Sequence, residues 1–401
     1  MVRTGHLAPV VGALVIAAAL LALTVSSPGL RIEGLDRTRP AVVEREFGRD
    51  GLTDSAAFER GLANLRNLGI FSKVEGTWSD SQPVVHLREK WTTIPIAKFK
   101  SGGGVSAFTI GVFDPNVAGQ FLELGGQYEN RSGTHSGVTW FREPRLANRR
   151  ILLGADFWYT NRVREEFLGD ASRGFAGDRR IRLHAFLEPE IHRLVRLHAG
   201  VEWLDDTLSS ELLELSDEQP AVKRPSLASQ SWVSSVGATP GRIDQDIEIQ
   251  QGATVEGRWD VSWAGERWNR RFVEAKAFWL AAPRLNLAGR AFWGSGSART
   301  EFHDWRLGGL EQVRGLPEDF LVGDAAWYAN LELRGTAWKS DWLRVQTVAF
   351  TDLGGLTGFD THNSWGAGVR LLSPKIYRLN LRLDWAQGHQ SGISAGLQQF
   401  F

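Results

Sequence analysis

Tyr377-Arg378-Leu379-Asn380-Leu381-Arg382-Leu383-Asp384-Trp385 alternates without a fault, with Tyr, Leu and Trp on one face and Arg, Asn and Asp on the other. Successive side chains of a strand point to opposite faces, so this stretch predicts a β-strand with one apolar and one polar side. Residues 195–203 do the same, setting Arg196, His198 and Glu202 against Val195, Leu197, Val201 and Trp203, and residues 253–263 repeat it with Glu256, Arg258 and Asp260. A half-buried sheet in water alternates too, so the period alone does not decide the fold. Aromatic residues at the ends of the apolar face, and lengths near the ~9–11 residues that cross a bilayer at a tilt, put lipid on the apolar side. Backbone groups in lipid must be paired within the protein, so such strands have to close into a barrel around a polar lumen.

The rest of the chain agrees with an all-β transmembrane barrel over residues 95–401. It has 44 Gly and 17 Trp but one Met, a composition suited to turns, strands and an aromatic girdle. No stretch after Pro95 reads as a helix. Five strands are predicted at 325–334, 343–352, 365–372, 377–385 and 392–401, and ten more upstream, beginning at 105–113. A further strand at 162–167, after a tight turn at Asn161, brings the count to the even number a barrel requires, sixteen antiparallel strands. Lys+Arg and Asp+Glu are equal at 46, so no overall electrostatic footprint points to nucleic acid. The absence of cysteine excludes a disulfide framework, a thiolate metal site and a cysteine nucleophile.

The N-terminus reads as an address. Arg3 and His6 precede an apolar run over 7–25, then Ser26-Ser27-Pro28-Gly29, which predicts a secretory signal peptide over 1–27, with an uncleaved membrane anchor as the alternative. Residues 30–92 predict a small α+β domain. Arg31-Ile32-Glu33-Gly34-Leu35 alternates like a short strand, and Thr38-Arg39-Pro40 opens a helix with Val42, Val43 and Phe47 on its inner face. Leu52-Thr53-Asp54 starts a second helix, in which Phe58, Leu62, Leu65 and Leu68 recur at helical spacing until Gly69. Strands over 71–78 and 83–90 flank the turn formers Ser79-Asp80-Ser81.

No catalytic signature is present: there is no G-x-S-x-G, H-E-x-x-H or G-x-x-x-x-G-K-[ST], and Gly102-Gly103-Gly104 precedes a strand rather than a helix. His184 and His198 fall on polar faces of adjacent strands, where they could share a metal or simply line the lumen. A sharper pattern surrounds Leu307-Gly308-Gly309-Leu310-Glu311-Gln312-Val313-Arg314-Gly315-Leu316, a glycine-rich loop with one cation between two strands. In the following strand Glu332 shares the polar face with Tyr328, Asn330 and Arg334. In Phe350-Thr351-Asp352-Leu353-Gly354, Asp352 shares its face with Phe350. Two inward carboxylates on neighbouring strands could receive one guanidinium fork, which lysine cannot match.

Val313, Arg314, Gly315, Glu332, Phe350, Asp352 and Gly354, with Gly366 to Pro374 and a final strand marked by Gly396, Leu397, Phe400 and Phe401, resemble the BamA/TamA-type outer-membrane assembly factors. Leu68-Gly69-Ile70-Phe71-Ser72-Lys73-Val74 resembles the turn that closes the second helix of a POTRA domain. The chain departs from the family pattern at Leu316, where an aromatic is usual. The resemblance implies a surface-antigen type barrel with one POTRA domain, in the outer membrane of a Gram-negative-type cell with the POTRA domain in the periplasm. It further implies an arginine loop folded back and locked on the barrel wall, no enzymatic activity and no cofactor. The partners it implies are outer-membrane lipid, unfolded or secreted client polypeptides and periplasmic proteins docking on the POTRA domain. Such domains take extended chains by strand addition, and handover is expected at a seam between 105–113 and 392–401. The function expected is insertion or translocation of other polypeptides. The alternatives are a secretion pore dedicated to one partner and a passive diffusion porin.

Overall fold

The computed structural model describes residues 29–48, 52, 54–79, 82–102, 105–168, 171–209, 227–246, 248–297, 302–309, 311–376 and 380–397. The predicted signal segment, Leu310, Phe400 and Phe401 lie outside them.

A small module comes first. β1 (Arg31–Glu33) pairs in parallel with β3 (Val84–Glu89), which pairs antiparallel with β2 (Phe71–Thr77), and two helices, α1 (Pro40–Phe47) and α2 (Ser55–Leu68), cover the sheet. Each helix end follows from a local cause. Pro40 sits in the first turn of α1, where its missing N–H costs nothing. Asp54 caps α2 by accepting from the Ala57 N–H at 2.7 Å, and Gly69 closes it in the left-handed conformation. Val43, Phe58, Leu62, Leu65 and Val85 are almost wholly buried between helices and sheet. Gly61 lets the helices approach, because a Cβ there would run into the Phe47 ring.

Sixteen antiparallel strands then close into one barrel. The alternation read from sequence is borne out. On β20 (Asn380–Gln387), Leu381, Leu383 and Trp385 are exposed on the outer wall, while Asp384 and Ala386 are buried. An apolar outer surface of this kind is what a hydrocarbon environment demands.

Two assignments need correction, although the count stands. The first barrel strand is β4 (Ile94–Gly102), not 105–113, which belongs to the second, β5 (Val105–Val117). Pro95 disguises β4, since proline donates nothing to a ladder and belongs at edges or strand starts. The seam is therefore formed by β4 with β21 (Ser391–Leu397), not by 105–113. Conversely, 162–167 is no separate strand but the end of β8 (Ile151–Leu168), which pairs continuously with β9 (Ala171–His192). Arg162, Arg164 and Glu165 make this extension polar on both faces, so the apolar alternation stops although the strand does not. Among the described residues, three pairs join β21 to β4 (Ile393 with Ser101, Ser394 with Lys100, Ala395 with Phe99), against nine joining β4 to β5.

The module is docked on the barrel. Phe121, in the turn between β5 and β6 (Leu122–Arg131), joins the module's own apolar core, and Arg39 donates its backbone N–H to Gly119 O at 2.8 Å. Arg37 donates to Asp114 at 2.7 Å. The buried Glu46 of α1 receives Arg145 in a fork at 2.8 and 3.0 Å. Bidentate geometry with one partner buried makes this pair stronger than an exposed one. Glu46→Ala is expected to weaken docking by about 2–3 kcal/mol. Limited proteolysis around residues 90–93 should then become faster, while the barrel's heat-modifiable gel migration stays unchanged.

Candidate functional site: a loop held inside the barrel

Strand direction places the site. The β5–β6 turn lies against the module, and the strands run alternately from there. The connection between β14 (Leu285–Ser297) and β17 (Ala325–Lys339) therefore emerges at the end remote from the module. It carries a small ribbon, β15 (Trp305–Leu307) with β16 (Leu321–Gly323), and its tip folds back into the lumen. Glu332, which receives the tip, lies seven residues along β17 from that remote end. At 3.3 Å per residue this is about 23 Å of strand.

Arg314 at the tip is completely buried. Its Nε and Nη2 donate to the two carboxylate oxygens of Asp352 on β18 (Arg344–Leu356), both at 2.8 Å, and its Nη1 donates to Glu332 Oε1 at 2.7 Å. The Arg314 backbone N–H adds a bond to Asp352 at 3.1 Å. The guanidinium lies over the Phe350 ring, 3.4 Å from its centroid, so its edge serves the carboxylates and its face the ring. Val313 is wholly buried. Gly354 makes room for it, since a Cβ there would come within 2.7 Å of Val313 Cγ2. Gly315 adopts φ of 88°, and its Cα faces the backbone of Gly388, 2.9 Å from where a Cβ would stand. Gln390 N–H donates to Gly315 O at 2.8 Å across that approach. The structure thus brings together all seven residues singled out around the loop. Leu316, the departure from the family pattern, is buried with Leu307, Val313, Phe320 and Tyr328, so an aliphatic residue fills the tip.

Several partners were not singled out from sequence. On β19 (His362–Leu372) Arg370 forks onto Asp384 of β20, and its Nη2 lies 3.6 Å from Glu332 Oε1. Arg334 donates to Glu332 Oε2 at 2.8 Å and to Gln250 Oε1 at 2.7 Å. Asn330 bridges the loop carbonyl of Gln312 and Asp352. Four guanidiniums, those of Arg314, Arg334, Arg370 and Arg382, meet three carboxylates, those of Glu332, Asp352 and Asp384. Lumenal parity on β20 contains the signal for Asp384, because Asp384 and Arg382 share the polar face of the alternating stretch. Across the lumen, Glu318 pairs with Arg131 of β6, and Asp319 lies 3.6 Å from Arg164 of β8. No sequence spacing announces these contacts. The loop therefore spans the lumen, tied to both walls.

His184 and His198 are neighbours, with ring centroids 6.2 Å apart, but each has protein partners. His184 faces Asp156, and His198 lies between Glu188 and Ser235. Among the described residues no group of three or more His, Cys, Asp or Glu is arranged to hold a metal ion. Gly396 and Leu397 end β21, paired with Arg382 and Leu381.

No protein-family model and no curated protein matches the sequence. Solved structures do match. CdiB from Escherichia coli aligns with a TM-score of 0.63 at 14% identity, over 92% of this chain and 75% of that one. A BamA from Haemophilus ducreyi lacking POTRA domains 1-3 aligns with a TM-score of 0.57 at 13% identity, over 92% and 82%. CdiB from Acinetobacter baumannii gives 0.57 at 13%, over 92% and 73%. At such identities the likeness is one of fold, and over nearly its whole length this chain is folded like BamA and CdiB.

Proposed function

We propose that this chain is an outer-membrane barrel that assists insertion or translocation of other polypeptides, with residues 30–92 as a POTRA domain in the periplasm. The observation that carries this reading is the loop clamped through the lumen by Arg314. A passive pore needs an open lumen, and here the loop crosses it and is tied to both walls. The module adds support. The barrel from residue 94 onward is 308 of the 401 residues, so matches over 92% of the chain reach into the module. Its order β1-β3-β2 leaves an outer edge on β2 where an extended client can add as a strand. Handover then occurs at the seam of β4 and β21, joined by three described residue pairs. Each backbone pair released there is a donor and acceptor that an incoming strand can satisfy.

The test is a quantitative comparison of outer-membrane and secreted proteins in cells with and without this chain. Loss of several unrelated barrel proteins is the expected result. Loss of a single secreted protein would instead identify a dedicated secretion pore, and no change in either would overturn the proposal in favour of a pore or scaffold.

A further inference from the structure

Away from the Arg314 clamp, the wall formed by β9, β10 (Val195–Leu208), β11 (Leu227–Asp246), β12 (Ile249–Gly265) and β13 (Asn269–Ala282) encloses a cavity of about 190 Å³ near the end remote from the module. Four guanidiniums line it, those of Arg180, Arg182, Arg258 and Arg270, against two carboxylates, Glu202 and Asp260. Three of the four are already satisfied. Arg182 pairs with Glu202, Arg258 donates to Asp260 at 2.8 Å, and Arg180 pairs with Asp206 and donates to Phe302 O at 3.0 Å.

Arg270 is the exception. Its Nε is buried without a hydrogen-bond partner, and its guanidinium carbon lies over the Trp305 ring, 4.0 Å from the centroid. Stacking occupies the face of a guanidinium and leaves its in-plane donors for an acceptor. Buried charged donors rarely go unmatched in folded proteins, because leaving one so costs the full desolvation penalty. His303, in the loop after β14, also lines the cavity. It stacks on Trp268 at 4.2 Å, and burial together with Arg180 and Arg270 holds its pKa down to about 3. Drug-sized ligands need pockets of roughly 300 Å³ or more, so this one suits an anionic group with at most a single ring attached.

We propose that this cavity is a binding site for a phosphate group, free or carried on a sugar, with Arg270 as the guanidinium that receives it. Arg258 and Arg182 supply the surrounding field. The proposal is independent of how the barrel handles polypeptides.

The test is calorimetric titration of the full chain, folded in detergent, with inorganic phosphate, glucose 1-phosphate and glucose. Saturable binding of phosphate with a Kd of about 1 mM or tighter is expected, with none for glucose. Tighter binding of glucose 1-phosphate than of phosphate would identify a sugar-borne group, and equal binding a free oxyanion. Both support the site. Arg270→Gln is expected to weaken binding about 10- to 100-fold, and Arg270→Lys to restore part of it, in proteins whose heat-modifiable migration matches the parent. Absence of phosphate binding, equal binding of glucose, or unchanged affinity in folded Arg270→Gln would overturn the proposal.

Discussion

Arg314→Ala is expected to destabilise the folded barrel by about 3–5 kcal/mol, the range for removing one partner of a buried ion pair. The upper part of that range applies because the partners are unequally served without Arg314. Glu332 keeps Arg334 and Arg370, and the Asp384 carboxylate keeps Arg370. Asp352, wholly buried, loses three side-chain and backbone bonds and, among the described residues, keeps the Asn330 amide at 2.9 Å. Arg314→Lys is expected to recover little, because one ammonium cannot span two oxygens of Asp352 and one of Glu332 in a single plane. Adding Asp352→Asn to Arg314→Ala should recover about 1–2 kcal/mol by removing the orphaned charge. Denaturant unfolding in detergent, followed by tryptophan fluorescence, measures all three. If Arg314→Ala unfolds within about 0.5 kcal/mol of the parent, a margin typical of surface changes, the clamp is not a source of stability.

Gly366→Val is expected to cost about 4 kcal/mol or more, or to prevent the barrel from reaching its heat-modifiable form. A Cβ on Gly366 would run into the carbonyl oxygen of Trp385 and into the Phe350 ring. The carbonyl belongs to the β19–β20 ladder and cannot move without breaking it. The ring can move only by leaving the face of Arg314. Gly368 is constrained similarly, since its Cβ would occupy the place of the Asp384 carboxylate. Gly289→Ala on β14 is the control, because the nearest atom to its Cβ is a carbonyl oxygen at 4.0 Å, and it should change stability by no more than about 0.5 kcal/mol. Equal behaviour of Gly366→Val and Gly289→Ala would remove the packing argument.

Much of this was legible in the residues, for reasons that also mark where legibility ended. Period-two alternation reports which face is apolar, so β20 and the lumenal positions of Glu332 and Asp352 could be read directly. It fails where both faces are wet, as in the extension of β8 through Arg162 and Arg164, and where proline interrupts a strand, as at Pro95. Arg314 stood out as a single cation in a glycine-rich loop. Arg370 and Asp384 did not, because each is one of many polar residues on an inward face and their meeting depends on register between β19 and β20. The contacts of Glu318 and Asp319 with β6 and β8 arise only when the barrel closes, and no local pattern encodes closure. Leu316 shows the converse: the tip needed apolar volume, and an aliphatic side chain supplies it.

The most direct test of the clamp uses the absence of cysteine from the chain. Glu311→Cys in the loop and Ser132→Cys in the exposed β6–β7 turn, where β7 is Thr134–Glu143, can be spin-labelled without background and their separation measured by pulsed dipolar spectroscopy in lipid. One narrow distance distribution is expected with Arg314 present, and a broad one, several times wider, in the Arg314→Ala background. A distribution equally narrow in both backgrounds would contradict the clamp, because the loop would then be held in the lumen without its arginine.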